Sequence, residues 1–220
     1  MGKKSNEDRS LAFVNGAETQ KLDFLEQEPY ASWTKILQED LSSKRFKHVL
    51  GVVRTALYLA DTYRLSGEKA AKAALLHDCA KKNEDFYFRR LLTDGWVKEE
   101  EYRPSPTFHA WLGARVSKYY YGVDDPEILE AIEAHTTGKA GMGPLAEVIF
   151  LADMLEPHRS FPGLEKLRTL ALEDLDQAVL AALDHTMIYL MDQGVPIDEH
   201  SLQTRNDMIE RIRKKEMEKG

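Results

Sequence analysis

The sequence contains very little cysteine: Cys79 is the only one among 220 residues. An intramolecular disulfide framework and a thiolate-rich zinc module are therefore excluded, and a metal site would have to use histidine and carboxylate ligands. No apolar run approaches the roughly 20 residues that span a bilayer. The first residues, MGKKSNEDRS, also lack the apolar stretch of a signal peptide. We therefore expect a cytoplasmic protein that does not enter a membrane.

An excess of basic residues is also absent. The chain has 30 lysines and arginines against 37 aspartates and glutamates, which gives a formal net charge of −7. A general attraction for phosphate backbones is excluded, so we expect no nucleic acid partner. The glycine-rich segment KAGMGP lacks the lysine-serine/threonine ending of a phosphate-binding loop. Any anionic ligand must therefore be held by a local site.

Strand-like alternation of apolar and polar residues is almost absent. From residue 31 onward nearly every segment has helical periodicity, and glycine and proline fall between the periodic segments. The pattern predicts an all-α fold, with one helical domain over residues 31–220. Residues 1–30 are weakly patterned and are expected to be either a mobile extension or one short helix.

Several helix starts can be read from capping residues. The Asp125-Pro126 pair predicts a helix start, because aspartate is a good N-cap and proline fits the first turn. Asp174 is expected to cap a long helix, and Ser43 to cap the helix that carries His48. These starts place the chemically interesting residues at or near helix ends.

Seven histidines are the notable feature of the composition. Four of them and two aspartates fall near helix ends or on the inner edge of apolar stripes: His48, His77, Asp78, His109, His135 and Asp153. Imidazole and carboxylate together suit divalent iron, manganese, nickel or zinc. Because helix ends can converge in the core of a bundle, the joint pattern predicts a metal site there.

Structural alternatives exist for each of these residues. A lone histidine beside an apolar face is usually a hydrogen-bonded structural residue. His77 could instead interact favourably with the dipole at a helix C-terminus, and Asp78 could cap the following turn. Cys79 is read as an inert small residue because no partner motif accompanies it. The remaining three histidines, His158, His185 and His200, are assigned no ligand role.

The order of these residues resembles the HD-domain metal-dependent phosphohydrolase superfamily. The strings RFKHVLGVVRTALYLA, ALLHDCAK, FHAWLGA, EAHTTGKAGM and FLADMLEPHR more specifically resemble the YqeK family of symmetrical dinucleoside tetraphosphatases of bacteria. The resemblance runs roughly from Trp33 to Arg205. It implies an HD-type helical bundle with its metal site in the core at helix ends.

The resemblance also implies roles for individual residues. His48, His77, Asp78 and Asp153 would ligate a metal, expected to be iron, and His109 and His135 would bind a second ion or contact phosphate oxygens. The residues expected to take part in catalysis are Asp78, Lys81, His109 and His135. The residues expected to contact substrate are His48, Lys81, His109, His135, Thr136, Asp153, Arg159, Thr204, Arg205 and Asn206. Lysine and arginine suit this role because a polyphosphate needs local cations.

The implied reaction is hydrolysis of diadenosine tetraphosphate to two ADP by metal-activated water. The ligand is expected to be a small nucleotide, with ADP or GDP as product-like ligands, and a homodimer is left open. Two alternatives remain from the residues alone. One is an HD phosphohydrolase acting on a deoxynucleoside phosphate or a guanosine alarmone, and the other is a nucleotide-binding regulatory protein without turnover.

Overall fold

A computed structural model describes residues 5–218 of the protein. Over this range the chain forms eleven α-helices and two short 3-10 helices, Asp23–Glu26 and Glu99–Glu101, and it has no β-strand. The α-helices are α1 Asn6–Glu18, α2 Tyr30–Asp40, α3 Ser43–Thr62, α4 Gly67–Leu76, α5 Glu84–Thr93, α6 Phe108–Tyr119, α7 Pro126–Ala134, α8 Pro144–Leu155, α9 Leu164–Leu170, α10 Leu175–Asp192 and α11 Glu199–Met217. The predicted all-α fold is confirmed.

The core forms where α3, α4, α7 and α8 pack on one another. Helix α8 is the central element: almost all of its residues from Leu145 to Leu155 are buried. A helix that is apolar on every face is stable only when other helices surround it, and α3, α4, α7 and α10 do so here. Between residues 5 and 218, no helix is both long enough and apolar enough to cross a membrane.

Small residues let the helices that carry the histidines approach closely. Helix α4 is rich in alanine, and its alanines at positions 70, 71, 73 and 74 are all buried. On α6, a Cβ atom at Gly113 would lie 3.3 Å from the main-chain oxygen of His77. Because little side chain separates them, the chain at the end of α4 lies against the middle of α6. His77 and His109 both face the Asp78 carboxylate.

The helix starts mostly follow the capping residues. The Asp125 carboxylate accepts from the main-chain N–H of Glu127 at 3.0 Å, and Asp174 accepts from that of Gln177 at 3.1 Å. Both predicted caps are confirmed. The predicted cap of α3 is wrong by one residue: Ser42, not Ser43, accepts from the main-chain N–H of Arg45. Serine can cap at either position, and the extended backbone of Ser42 decides between them.

The N-terminal segment contributes a packed helix. Helix α1 lies against α3 and α9, and Phe13 and Ala17 are fully buried. The Phe13 ring meets the Tyr58 ring edge-on at 5.8 Å, and the Arg168 guanidinium lies 5.9 Å from the Phe13 ring centre. Residues 5–30 thus contain α1, the 3-10 helix Asp23–Glu26 and the first residue of α2. Residues 1–4 of that segment lie outside the described residues.

Candidate metal centre

Four histidines and two aspartates from five helices meet in the core, and all of them except His48 lie at or next to a helix end. Helix α3 carries His48, α4 ends at His77 and is followed by Asp78, α6 begins next to His109, α7 ends at His135, and Asp153 lies in the last turn of α8. His77, Asp78, His109 and His135 are buried. We call these six residues the histidine–aspartate cluster. The sequence-based expectation of convergence at helix ends therefore describes the actual arrangement.

Asp78 lies at the middle of the cluster. Its Oδ1 atom is 3.4 Å from Nε2 of His109 and 3.6 Å from Nε2 of His135, while its Oδ2 atom is 3.5 Å from Nε2 of His77. One carboxylate thus faces three imidazoles. This geometry suits a carboxylate that bridges two neighbouring positions.

Asp153 and His48 form the other side of the cluster, where the Nε2 atom of His48 lies 2.9 Å from Oδ1 of Asp153. Three overlapping sets of potential ligand atoms result, and within each set the atoms lie within 4.8 Å of one another. The sets are His48 with His77 and Asp78, His77 with His135 and Asp153, and Asp78 with His109 and His135. Because the sets share members, the cluster could hold one ion or two adjacent ions.

Main-chain carbonyls fix the proton on three of the imidazoles. The Nδ1 atom of His77 contacts the Ala74 oxygen at 2.7 Å, that of His135 contacts the Ile132 oxygen at 2.7 Å, and that of His109 contacts the Pro106 oxygen at 3.1 Å. A carbonyl oxygen can only accept a hydrogen bond, so Nδ1 carries the proton in each ring. The Nε2 lone pair is left facing the cluster, as a metal ligand requires.

Burial and neighbouring charges set the ionisation of the cluster. Burial lowers the pKa of His77 to about 4 and that of His109 to about 3, so both rings are neutral near pH 7. Burial opposes ionisation of Asp78 and Asp153, but interactions with histidines outweigh it and hold both carboxyl pKa values below their usual range. The cluster therefore presents two neutral imidazoles, His77 and His109, and two charged carboxylates, which are the forms that bind divalent ions.

Unpartnered atoms indicate that the cluster fits a metal. Buried polar atoms of proteins nearly always have a hydrogen-bond partner. Within residues 5–218, His48 Nε2, His77 Nε2 and Asp78 Oδ1 are buried without one. His48 Nε2 is close to Asp153, but the contact lacks hydrogen-bond geometry. Three such atoms converging from different helices match the donor set of a histidine-carboxylate metal centre.

The residues expected to contact substrate lie around the cluster. The Nζ atom of Lys81 is 2.9 Å from Nε2 of His109, and Thr136 Oγ1 is 3.4 Å from the same nitrogen. Arg159 Nη2 donates to Oδ1 of Asp153 at 2.7 Å. A cavity of about 230 Å³ opens beside them and is lined by His135, Thr136, Phe150, Asp153, Met154, Arg159, Phe161 and Thr186.

The three C-terminal candidates make different contacts. Thr204, Arg205 and Asn206 lie on α11, where the Thr204 hydroxyl donates to the His200 carbonyl and Arg205 pairs with Asp184. Asn206 is exposed. Thr204 also lies directly against Gly138, two residues beyond Thr136. The hydrogen bonds of this segment therefore hold α11 rather than the cluster.

Two polar neighbours of the cluster are absent from the sequence-based candidates. Arg45 donates to Oδ2 of Asp78 at 2.8 Å, and Oε1 of Glu156 lies 3.2 Å from Nδ1 of His48. Each lies three residues from a predicted ligand on the same stretch of chain, Arg45 before His48 and Glu156 after Asp153. Helical spacing of three places Arg45 and His48 on one face of α3, but Glu156 follows the last residue of α8 and its backbone is not helical.

The thiol of Cys79 is a poor nucleophile. It is buried beside Gly113 and Ser117. Burial raises the pKa of the Cys79 thiol to about 12, so it stays protonated near pH 7. Thiolate chemistry therefore plays no part at this site.

Comparison with known proteins places this cluster in a family. The sequence model of the HD domain family matches residues 45–158, a region that includes all six cluster residues. The chain belongs to the HD domain family. The family predicted from the sequence is thus confirmed. The family implies a divalent metal, and the histidine–aspartate cluster could bind one.

Two relatives and one solved structure match most of this chain and most of their own length. A symmetrical bis(5'-nucleosyl)-tetraphosphatase from Halalkalibacterium halodurans is 35% identical over 80% of this chain and 94% of the relative. The enzyme of the same name from Bacillus subtilis is 34% identical over 79% and 94%. A crystal structure from Clostridium acetobutylicum, of an HD superfamily hydrolase described as involved in NAD metabolism, matches with a TM-score of 0.74 and 36% identity. It covers 83% of this chain and 97% of that chain.

Proposed function

We propose that this HD domain is a metal-dependent hydrolase that cleaves diadenosine tetraphosphate symmetrically to two ADP. The observation that carries the proposal is the convergence of four histidines and two aspartates in one cluster, in which four residues are buried and His48 and Asp153 are partly buried. Relatives that carry the name of this activity, at 34–35% identity over about four fifths of the chain, support the choice of substrate. We place the reaction in the cytoplasm, and the homodimer remains a prediction.

His48, His77, Asp78 and Asp153 would hold the principal ion, which we propose to be iron. A bound divalent ion would supply Lewis-acid activation of water, lowering its pKa from about 15.7 towards about 7. His109 and His135 share Oδ1 of Asp78 as their nearest carboxylate atom. They would hold a second ion or contact phosphate oxygens, and their free Nε2 lone pairs suit the ion. Asp78 faces both halves of the cluster.

Cations of the chain would offset the charge of the tetraphosphate. Lys81 and Arg159 stand on opposite sides of the cluster, next to His109 and Asp153 respectively. Their side chains are partly exposed, so they can meet a ligand that enters from solvent. Charge develops on phosphate oxygens in the transition state, and fixed cations stabilise it there. Thr136 can donate from its hydroxyl to the same ligand.

Symmetrical cleavage sets a requirement on binding. The oxygen of water forms a bond to a phosphorus beside the central bridging oxygen, and the bond between that phosphorus and the bridging oxygen breaks. ADP leaves as an anion, so no strong acid has to protonate it. The site must therefore hold one ADP half, and we propose that the 230 Å³ cavity beside His135 and Arg159 receives it. Thr204, Arg205 and Asn206 stay predicted contacts of its nucleoside end.

Product analysis tests the proposal directly. The purified protein is loaded with iron, manganese or zinc, incubated with diadenosine tetraphosphate, and its products are separated by chromatography. Two ADP per substrate is the expected result, whereas ATP with AMP contradicts symmetrical cleavage. Binding without turnover under all three ions would instead indicate a regulatory nucleotide-binding protein. The Asp78→Ala variant should bind no metal and give no products while its circular dichroism stays helical.

A further inference from the structure

His48 differs from the other three imidazoles in how its proton is held. His77, His109 and His135 each donate from Nδ1 to a main-chain carbonyl three residues earlier. Nδ1 of His48 instead faces a side chain, Oε1 of Glu156, at 3.2 Å. The three rings with carbonyl partners lie at or beside helix ends, whereas His48 lies within α3. The Nδ1–H group of His48 therefore needs an acceptor other than a main-chain carbonyl.

The position of His48 inside α3 explains this difference. Inside an α-helix each carbonyl accepts from the N–H group four residues ahead, so the carbonyls that precede His48 are already engaged. At the end of α4 or α7 the carbonyls have no further helical partner and can accept from a ring. A carboxylate from another helix supplies the acceptor for His48. Glu156 provides it from the position directly after α8.

Glu156 is firmly held in this position. Its side chain is buried, and its Oε2 atom accepts from the main-chain N–H of His158 at 2.7 Å. Arg168 donates to the main-chain oxygens of Leu155 and Glu156 at 3.0 and 2.8 Å. On α3, a Cβ atom at Gly51 would lie 2.6 Å from Oε2, so glycine is required for the carboxylate to fit. Both oxygens and the backbone of Glu156 are thus fixed.

We propose that Glu156 is a positioning residue that keeps the Nδ1 proton on His48 and directs its Nε2 lone pair to the metal shared with Asp153. The inference rests on the proposed function. Nδ1 of His48 lies 3.2 Å from Glu156 in hydrogen-bond geometry, whereas Nε2 lies 2.9 Å from Asp153 without that geometry. The carboxylate can only accept, so Nδ1 must donate, and the nitrogen that faces the cluster is free to ligate.

The chemistry demands a carboxylate at this position and not an amide. Glu156 accepts at both oxygens, from His48 at Oε1 and from the main chain of His158 at Oε2. An amide has one accepting oxygen and one donating NH2 group. In a Glu156→Gln variant the oxygen would keep the shorter main-chain bond, and the NH2 group would face His48. The ring would then carry its proton on Nε2, where it blocks metal binding.

Metal titration of the metal-free protein provides the first test. Mn²⁺ is added to the unchanged protein and to variants, and the free ion is counted by electron paramagnetic resonance. We expect Glu156→Gln to weaken Mn²⁺ binding about 10- to 100-fold, the usual cost of losing such a partner. Gly51→Ala should do the same, because its Cβ displaces the carboxylate while His48 and Glu156 both remain.

Matched substitutions control for general effects. Glu165→Gln changes an exposed glutamate on α9, and Gly67→Ala adds a Cβ that meets only Leu57 at 3.6 Å. Both should bind Mn²⁺ as the unchanged protein does. Thermal unfolding of each metal-free variant, followed by circular dichroism, reports whether the fold is kept.

The position of the ring proton provides the second test, which a purely structural role would not affect. Long-range ¹H–¹⁵N correlation spectra distinguish the two neutral forms of imidazole, and a His48→Gln variant assigns the signal. At alkaline pH we expect the proton on Nδ1 in the unchanged protein and on Nε2 in Glu156→Gln. Unchanged Mn²⁺ affinity in Glu156→Gln, or weaker affinity with the proton still on Nδ1, overturns the inference. Absence of metal binding by the unchanged protein would overturn the proposed function as well.

Discussion

Lys81 and His109 form a direct contact between an ammonium and a neutral imidazole, with Nζ 2.9 Å from Nε2. The ammonium must donate and the ring nitrogen must accept. Burial, the charge of His135 and the charge of Lys81 all lower the pKa of His109, to about 3. The Lys81 side chain lies at the edge of the cluster with a quarter of its surface exposed. It is therefore oriented by the protein while one side remains open to a ligand.

Lys81→Met tests this cation, since methionine keeps the length of the side chain and removes its charge. We expect turnover of diadenosine tetraphosphate to fall about 100-fold, the usual loss when one fixed donor to the transition state is removed. Metal affinity should not weaken, because Lys81 lies 3.7 Å from Asp78 and repels a bound cation. Steady-state kinetics and Mn²⁺ titration measure the two effects. Lys82→Met, at an exposed neighbour, should keep full turnover.

Arg45→Met tests the residue that orients Asp78. Arg45 donates to Oδ2 of Asp78 at 2.8 Å, which leaves Oδ1 facing His109 and His135. Without this bond the carboxylate can rotate, and we expect metal affinity to fall about 10- to 100-fold. Arg45→Lys should lose less, because its ammonium can still donate to Oδ2 of Asp78. Lys47→Met removes an exposed charge from the same helix turn, and an equal loss in that variant would contradict the assignment.

The metal-free protein should lose stability in mild acid. The folded-state pKa values are about 4 for His77 and about 3 for His109, whereas histidine in an unfolded chain has a pKa near 6.5. The unfolded state therefore binds more protons below pH 6.5. The stabilising contribution is complete above pH 6.5 and is lost as the pH falls towards 4 and 3, by about 1.4 kcal/mol per pH unit for each proton.

Urea unfolding measured from pH 7 to pH 4 detects this loss. His109→Gln removes one of the two groups, so its unfolding midpoint should depend less steeply on pH. The raised pKa of His48 acts in the opposite range: the neighbouring carboxylates of Asp153 and Glu156 outweigh burial, and the contribution of His48 is lost as the pH rises through its folded-state pKa. An identical pH dependence in His109→Gln and the unchanged protein would contradict the prediction.

Phe13→Ala tests whether α1 belongs to the folded core. Phe13 is fully buried against Tyr58 and Arg168. Truncating a buried phenylalanine costs about 3–5 kcal/mol, which corresponds to a melting temperature roughly 10 °C lower in a protein of this size. Leu11→Ala on the same helix changes a side chain that is 60% exposed. Its effect should stay within about 0.5 kcal/mol.

Much of the fold could be predicted from local sequence. Asp125 and Asp174 cap α7 and α10 as expected, because an aspartate before an apolar stripe satisfies the first N–H groups wherever the helix packs. The choice of Ser42 over Ser43 could not be predicted. Both can cap, and backbone geometry set by neighbouring helices decides between them. The burial of α1 depends on contacts with α3 and α9 that are distant in sequence.

The residues of the site also differ in how well they could be predicted from the sequence. Its ligand-type residues stand out because histidine and aspartate are unusual beside apolar stripes at helix ends. Arg45 and Glu156 do not stand out, since arginine and glutamate at such positions usually face solvent. Their roles arise only when Asp78 and His48 from other parts of the chain are placed beside them. The residues that hold the ligands are therefore harder to predict than the ligands.

The region matched by the HD domain family begins within α3 and ends just beyond α8. Helix α3 also packs on α1, and α8 on α10, while Arg168 of α9 donates to the carbonyls at the end of α8. A chain cut to residues 45–158 would expose these apolar faces and release the segment that carries Glu156. The region that contains the ligand residues is thus shorter than the set of helices that must fold together. Helices that contribute no ligand still determine where the ligand atoms lie.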